Sequence, residues 1–166
     1  MMPGRRTEVP RTGGERETLR AYLDFHRETL ALKCAGLADD DLRRRSTVSS
    51  LSLLGLVRHM ADVERSWFRR VLDGQDVPWV WSTEGGREGA YDVDGAAPEE
   101  AFAAWQAEVE FARDIEAAAP SLDVVAVRWG EEYSLRHVLL HLIQEYARHN
   151  GHADVLRESI DGATGV

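Results

Sequence analysis

Leu135-Arg-His-Val-Leu139-Leu-His-Leu142-Ile-Gln-Glu145-Tyr146-Ala-Arg-His149-Asn-Gly-His152-Ala153-Asp-Val-Leu156-Arg-Glu-Ser-Ile160 is the stretch on which the fold turns. Leu135, Leu139, Leu142, Tyr146, His149, Ala153, Leu156 and Ile160 recur at alternating spacings of four and three, the period of a helical seam facing other helices. Ser134 offers a cap at its start and Asp161-Gly162 a stop at its end. The seam is not wholly aliphatic. His149 takes a core position, and Glu145, one turn earlier on the same side, lies about 6 Å from it along the axis. An ionised carboxylate buried beside an imidazole costs several kcal/mol unless something positive is near.

The same periodicity, read outward from this helix, predicts three more. Leu19, Tyr22, Leu23, Phe25, His26, Leu30 and Cys34 mark a first helix that starts near Thr12 or Glu15 and ends around Gly36. Ser50 or Ser52 caps a second, with Leu53, Leu56, Met60, Val63, Trp67 and Val71 as its apolar stripe, His59 on the flank and Gly74 as the stop. Pro98-Glu99-Glu100 suits the first turn of a third, whose buried side carries Phe102, Trp105, Val109, Ala112 and Ile115, with Pro120 beyond its end. Val124-Val-Ala-Val reads as one short extended piece, too little for a sheet. The expected fold is all-α, a four-helix bundle of residues 15–162 behind a poorly ordered lead-in of residues 1–14. Between the second and third helices, Gly74 to Ala97 is a long connection for a bundle, which makes it functional or disordered.

Composition narrows the functional classes. The chain has 166 residues, 43% of them hydrophobic, enough for one compact core. A net charge of -9 opposes binding to a phosphate backbone, so no nucleic acid partner is expected, and Arg43-Arg44-Arg45 reads as a solvated helix end. No apolar run suits a membrane span or a signal peptide, which points to a cytoplasmic protein with no membrane partner. Cys34 is the single cysteine, so histidine and carboxylate must supply any metal ligands; in the first-helix register it reads as a small buried hydrophobe rather than a nucleophile. Lys33 is the only lysine beside nineteen arginines, a bias that a GC-rich genome produces. Phosphate-binding, dinucleotide-binding and nucleophile-elbow motifs are absent from the sequence.

For the polar stretch itself two readings compete. On spacing alone the plainer one leads: Glu145 pairs with Arg148 or another base, and His149 is a satisfied core histidine. In the other, a divalent cation joins Glu145 and His149, with His59 as the third ligand from the second helix. His141, Glu145 and His149 also form a continuous line on one helix face, but one straight helix wraps a tetrahedral ion poorly. His152 and His141 read as pocket walls or outer partners, and Asp62 or Asp154 as a group that orients a ligand histidine or as a plain surface charge. Trp79, Trp81 and Arg87 are candidates to line the entrance, although loop aromatics more often pin a loop down. Tyr133 and His137 are expected to face solvent.

Ser50-Leu-Ser-Leu-Leu-Gly-Leu-Val-Arg-His59-Met-Ala-Asp-Val-Glu-Arg-Ser-Trp-Phe, followed downstream by Leu139-Leu-His-Leu-Ile-Gln-Glu145-Tyr-Ala-Arg-His149-Asn-Gly-His152-Ala-Asp, resembles the DinB-like superfamily of metal-binding four-helix bundles. More narrowly it is similar to an actinobacterial branch related to mycothiol-dependent maleylpyruvate isomerase, over about residues 15–162. The resemblance implies an up-down-down-up bundle and a homodimer. It implies a divalent metal, zinc first and nickel second, held by His59, Glu145 and His149, and it reverses the preference for the plainer reading. The Glu-x-x-x-His pattern on the fourth helix is that of the isomerases. Mycothiol as cofactor and a small electrophile as substrate follow by analogy, for a transferase or isomerase whose catalytic groups stay unassigned. The alternative is a noncatalytic, stress-associated dimer of the same fold that binds a metal or a small molecule.

Overall fold

The computed structural model describes residues 6–165. It is mostly helical, with 61% helix in six helices and one small two-stranded sheet among the described residues. In chain order these are α1 (Glu15–Cys34), the one-turn α2 (Asp39–Arg43), α3 (Leu53–Glu64) with a π-helical continuation (Arg65–Leu72), the one-turn α4 (Glu88–Tyr91), α5 (Pro98–Ala118), strands β1 (Val125–Arg128) and β2 (Glu131–Ser134), and α6 (Leu135–Asp161). The part of the expected lead-in that lies at residues 1–5 falls outside the described residues. Past it, the Thr7 hydroxyl donates to Glu28 at 2.8 Å and the Arg6 guanidinium lies 4.7 Å from the Phe25 ring centre, so residues 6–14 run against α1 without helix.

The capping residues act where the sequence places them. Ser52 Oγ accepts from the Gly55 N–H at 3.1 Å, and Ser134 Oγ from the His137 N–H at 3.1 Å. Pro98 opens α5, and Gly162 ends α6 in the left-handed region at φ 77°. The seam of α6 faces inward as its period requires: Leu135, Val138, Leu139, Leu142, Tyr146, His149, Ala153 and Leu156 are buried. α1 packs mainly on α6 and α3 mainly on α5, and contact of α3 with α6 joins the two pairs. α3 is buried at all twelve positions, so its polar residues must find partners inside the protein.

Three features depart from the sequence expectations. Val125–Arg128 is half of an antiparallel hairpin with Glu131–Ser134, turned through Trp129 at φ 53° and Gly130 at φ 81°. Tyr133 is half-buried against Trp67, ring centres 5.4 Å apart, whereas His137 is exposed as expected. The second helix changes to π geometry at Arg65, and this brings Phe68 into the core while Arg65 and Arg69 both bond Glu108 of α5.

One buried polar network spans the four long helices. Glu64 of α3 is fully buried and takes two bonds from Arg27 of α1, both 2.8 Å. Tyr146 of α6 donates to the same carboxylate at 2.8 Å and accepts from Trp105 Nε1 of α5 at 2.8 Å. Burial works against the Arg27 charge, but Glu64 outweighs it and the guanidinium pKa is raised. Replacing Glu64 by alanine strands that charge and should cost about 3–5 kcal/mol of stability. Tyr146→Phe, which removes one bond and leaves the ion pair, should cost about 1 kcal/mol. Chemical denaturation of both variants measures the two losses, and equal losses would contradict this account.

Candidate metal-binding site

Of the four charged or titratable side chains on α3, three hold hydrogen-bond partners within the protein. Arg58 donates to the Asp92 carbonyl and stacks over Trp81 at 4.8 Å. Asp62 accepts from three successive backbone N–H groups, Val80 at 2.7 Å, Trp81 at 3.4 Å and Ser82 at 2.9 Å. Glu64 has Arg27 and Tyr146. His59, only 3% exposed, is the exception: it makes no side-chain hydrogen bond, and its Nδ1 is buried without a partner.

The other nitrogen of His59 faces α6. Nε2 lies 4.0 Å from Glu145 Oε2, and His149 Nε2 lies 3.5 Å from that same oxygen. The imidazoles of His59 and His149 meet edge to face with ring centres 4.6 Å apart. One donor atom from each of His59, Glu145 and His149 falls within 4.8 Å of the others, an arrangement able to hold a metal ion. The expected line of histidines also forms, but His141 Nε2 is 3.7 Å from Oε1, the oxygen turned away from His59 and His149.

Electrostatics favours ligation over ion pairing. Burial, with further contributions from His149 and Arg87, pushes the His59 pKa down to about 3. Burial also lowers His149 and His141. All three imidazoles are therefore neutral at pH 7, and their approaches to Glu145 are not salt bridges. Neutral imidazole nitrogen and carboxylate oxygen are donors of the kind zinc and nickel accept. The pairing of Glu145 with Arg148 is not seen: no guanidinium pairs with Glu145 among the described residues, and Arg148 is exposed.

The remaining candidates divide by position. His152 Nδ1 lies 3.4 Å from His149 Nδ1, so a hydrogen bond between the rings leaves His149 Nε2 turned toward Glu145. Asp62 does not reach a histidine nitrogen, because its oxygens are occupied by the loop amides; Asp154 is likewise engaged, 2.5 Å from Lys33 Nζ. A tight cavity that His59 and Glu145 line is walled by Trp67, Trp79, Ser82, Arg87 and His141. Trp81 turns away to Arg58 and does not line it. Two further neighbours were invisible to periodicity: Tyr91 of α4 stacks on His59 at 5.5 Å, and Ser82 enters the wall through the loop. Cys34 lies apart from this site, buried in a groove of about 560 Å³ between α1, α2 and α5, its thiol pKa pushed up to about 12 by burial.

The family model described as MST, Mycothiol-S-transferase, matches residues 18–162, and the chain belongs to that family, within the DinB-like, mycothiol-related branch. No curated protein matches it. No helix among the described residues is long and apolar enough to cross a membrane.

Because His59 is neutral in the fold down to about pH 3 and ordinarily titrates near 6.5, the unfolded chain binds the extra proton between those limits. Stability of the metal-free protein should therefore be intact above pH 6.5 and fall as pH drops through that window, with His149 and His141 acting in the same direction. Denaturant midpoints measured across it should decline with acid, less steeply in His59→Gln.

Proposed function

We propose that this member of the Mycothiol-S-transferase family holds a divalent cation with His59, Glu145 and His149 and joins the thiol of mycothiol to a small electrophile. The observation that carries the reading is His59: among the charged or titratable residues of the buried α3 it alone makes no hydrogen bond, and its Nε2 faces Glu145 and His149. Zinc is the first candidate for two imidazoles and a carboxylate, and nickel the second. A cation held there supplies a Lewis acid that favours thiolate over thiol at neutral pH.

The chain's own residues do the rest. His152 orients His149, and Tyr91 covers the outer face of His59. Trp67 and Trp79 line the cavity onto which His59 and Glu145 face. As the sulfur–carbon bond forms, either the carbon–leaving-group bond breaks, the group departing as an anion and the thiol proton passing to solvent, or a carbon–carbon π bond breaks and the proton ends on the neighbouring carbon, so no redox partner is needed.

This reading takes residues 15–162 as one domain, with the four long helices in the up-down-down-up order of the superfamily. It also takes the protein to work in the cytoplasm as a homodimer. Family membership supports these features by analogy. The noncatalytic alternative shares the metal site and differs in turnover.

Elemental analysis of the untagged protein should find about one zinc or nickel per chain, and His149→Ala should lose it. The loaded protein should also accelerate loss of mycothiol thiol in the presence of a chloronitrobenzene. Metal without acceleration, over a panel of electrophiles, would select the noncatalytic alternative. Absence of metal after reconstitution would remove the proposed chemistry altogether.

A further inference from the structure

Three seams between the long helices are packed and the fourth is not. α1 lies on α6, α6 on α3 and α3 on α5, but the backbones of α1 and α5 scarcely approach each other. Side chains tie this pair at one end only, through Arg16 and Arg20 to Glu116 and through Arg113 to Asp24. Beyond Asp24, no hydrogen bond or ion pair runs directly from α1 to α5 among the described residues. The two helices there flank the groove of about 560 Å³, whose lining Leu42 of α2 joins. That volume is in the range of small-molecule sites, whereas the cavity onto which His59 faces offers about 10 Å³.

The floor of the groove is apolar and has no polar group to spare. Cys34, Leu42, Trp105 and Val109 are buried in it, and Ala31 and Phe102 are half-buried at its sides. Arg27 reaches the lining, but its guanidinium is held by Glu64 and Asp24, and the Trp105 N–H is held by Tyr146. Phe102 and Trp105 meet edge to face with ring centres 6.4 Å apart, so what they offer a ligand is aromatic surface. Uncommitted charge lies only on the rim. Glu28 is bonded by Thr7 and Arg113 by Asp24, whereas Glu99 and Glu110 are exposed and make no ion pair among the described residues. These two carboxylates are about 16 Å apart along α5, the helix that also presents Phe102 and Trp105. An apolar anion would be repelled at such a rim and a neutral molecule would gain nothing from it. An apolar cation gains from the carboxylates and from the aromatic rings alike.

We propose that this groove is a binding site for an apolar amine, its hydrocarbon or aromatic body against Ala31, Phe102 and Trp105 and its protonated nitrogen drawn to Glu99 and Glu110. The site lies on a different seam from His59, Glu145 and His149 and requires neither metal nor thiol.

Calorimetric titration with 4-phenylbutylamine, beside the neutral 4-phenylbutanol and the anionic 4-phenylbutyrate, tests body and charge separately. Salt at about 0.15 M screens the overall charge of -9, so that the rim is what distinguishes the three probes. The amine should bind at one per chain, the alcohol several-fold more weakly and the butyrate more weakly still. Glu99→Gln combined with Glu110→Gln should bring the amine down to the level of the alcohol and leave the alcohol unchanged; both residues are exposed, so the fold does not depend on them. Ala31→Trp fills the groove and should abolish binding of both, with an unchanged melting curve to show that the protein is folded. An amine that fails to bind the wild type, three probes that bind it alike, or an amine that binds the double variant or a folded Ala31→Trp as it binds the wild type would each overturn the proposal. Neither metal nor thiol enters the titration, so its outcome and that of the elemental analysis are independent of each other.

Discussion

Everything in this protein is hung on a carboxylate that no water touches. Glu64 is fully buried, and it is tolerable there only because Arg27 closes on both of its oxygens while Tyr146 donates to one of them. Trp105 completes the chain through the tyrosine hydroxyl, so each of the four long helices contributes one member. Apolar packing alone lets helices slide by fractions of a turn with small penalties, whereas a bidentate ion pair does not. The network thus fixes the relative height of α3 and α6. Tyr146 follows Glu145 in sequence, and Glu64 lies on the same helix as His59. The register that satisfies the network is the register that brings His59 opposite Glu145 and His149.

The contrast within α3 gives the site its meaning. A helix buried on all sides forces each polar residue to find a partner or to impose a desolvation cost. Arg58, Asp62 and Glu64 find theirs in a carbonyl, three amides and a guanidinium. His59 meets only two other ligand-type side chains, at distances too long for strong hydrogen bonds to Glu145. Burial keeps both imidazoles neutral, so the group neither repels a cation nor neutralises Glu145 by itself.

The α6 seam was legible because every position from Leu135 to Leu156 obeys one period, and a histidine at a seam position is visible as an exception. Ser52 and Ser134 were legible as caps because their chemistry is local. Glu64 was missed, though half of its signal was present: Arg27 falls between Leu23 and Leu30 in the buried register of α1, where a charge needs an opposite one nearby. The hairpin was missed because its turn is Trp129-Gly130 rather than the usual asparagine–glycine, and four-residue strands carry little alternation. The role of Asp62 could not be read at all. Its partners are backbone amides eighteen to twenty residues away, and backbone groups leave no mark on the sequence.

That last contact bears on how such a protein can diversify. Asp62 holds residues 80–82 by their N–H groups and is indifferent to the side chains they carry. Gly89 is the exception, since a Cβ there would come within 2.2 Å of the Trp81 carbonyl oxygen. Over most of the segment, then, mutation can reshape the wall of the cavity while its position stays anchored to α3. Lineages descended from a common ancestor could exchange Trp79, Ser82 or Arg87 for other residues and so explore new chemistry without having to rebuild the scaffold that presents it.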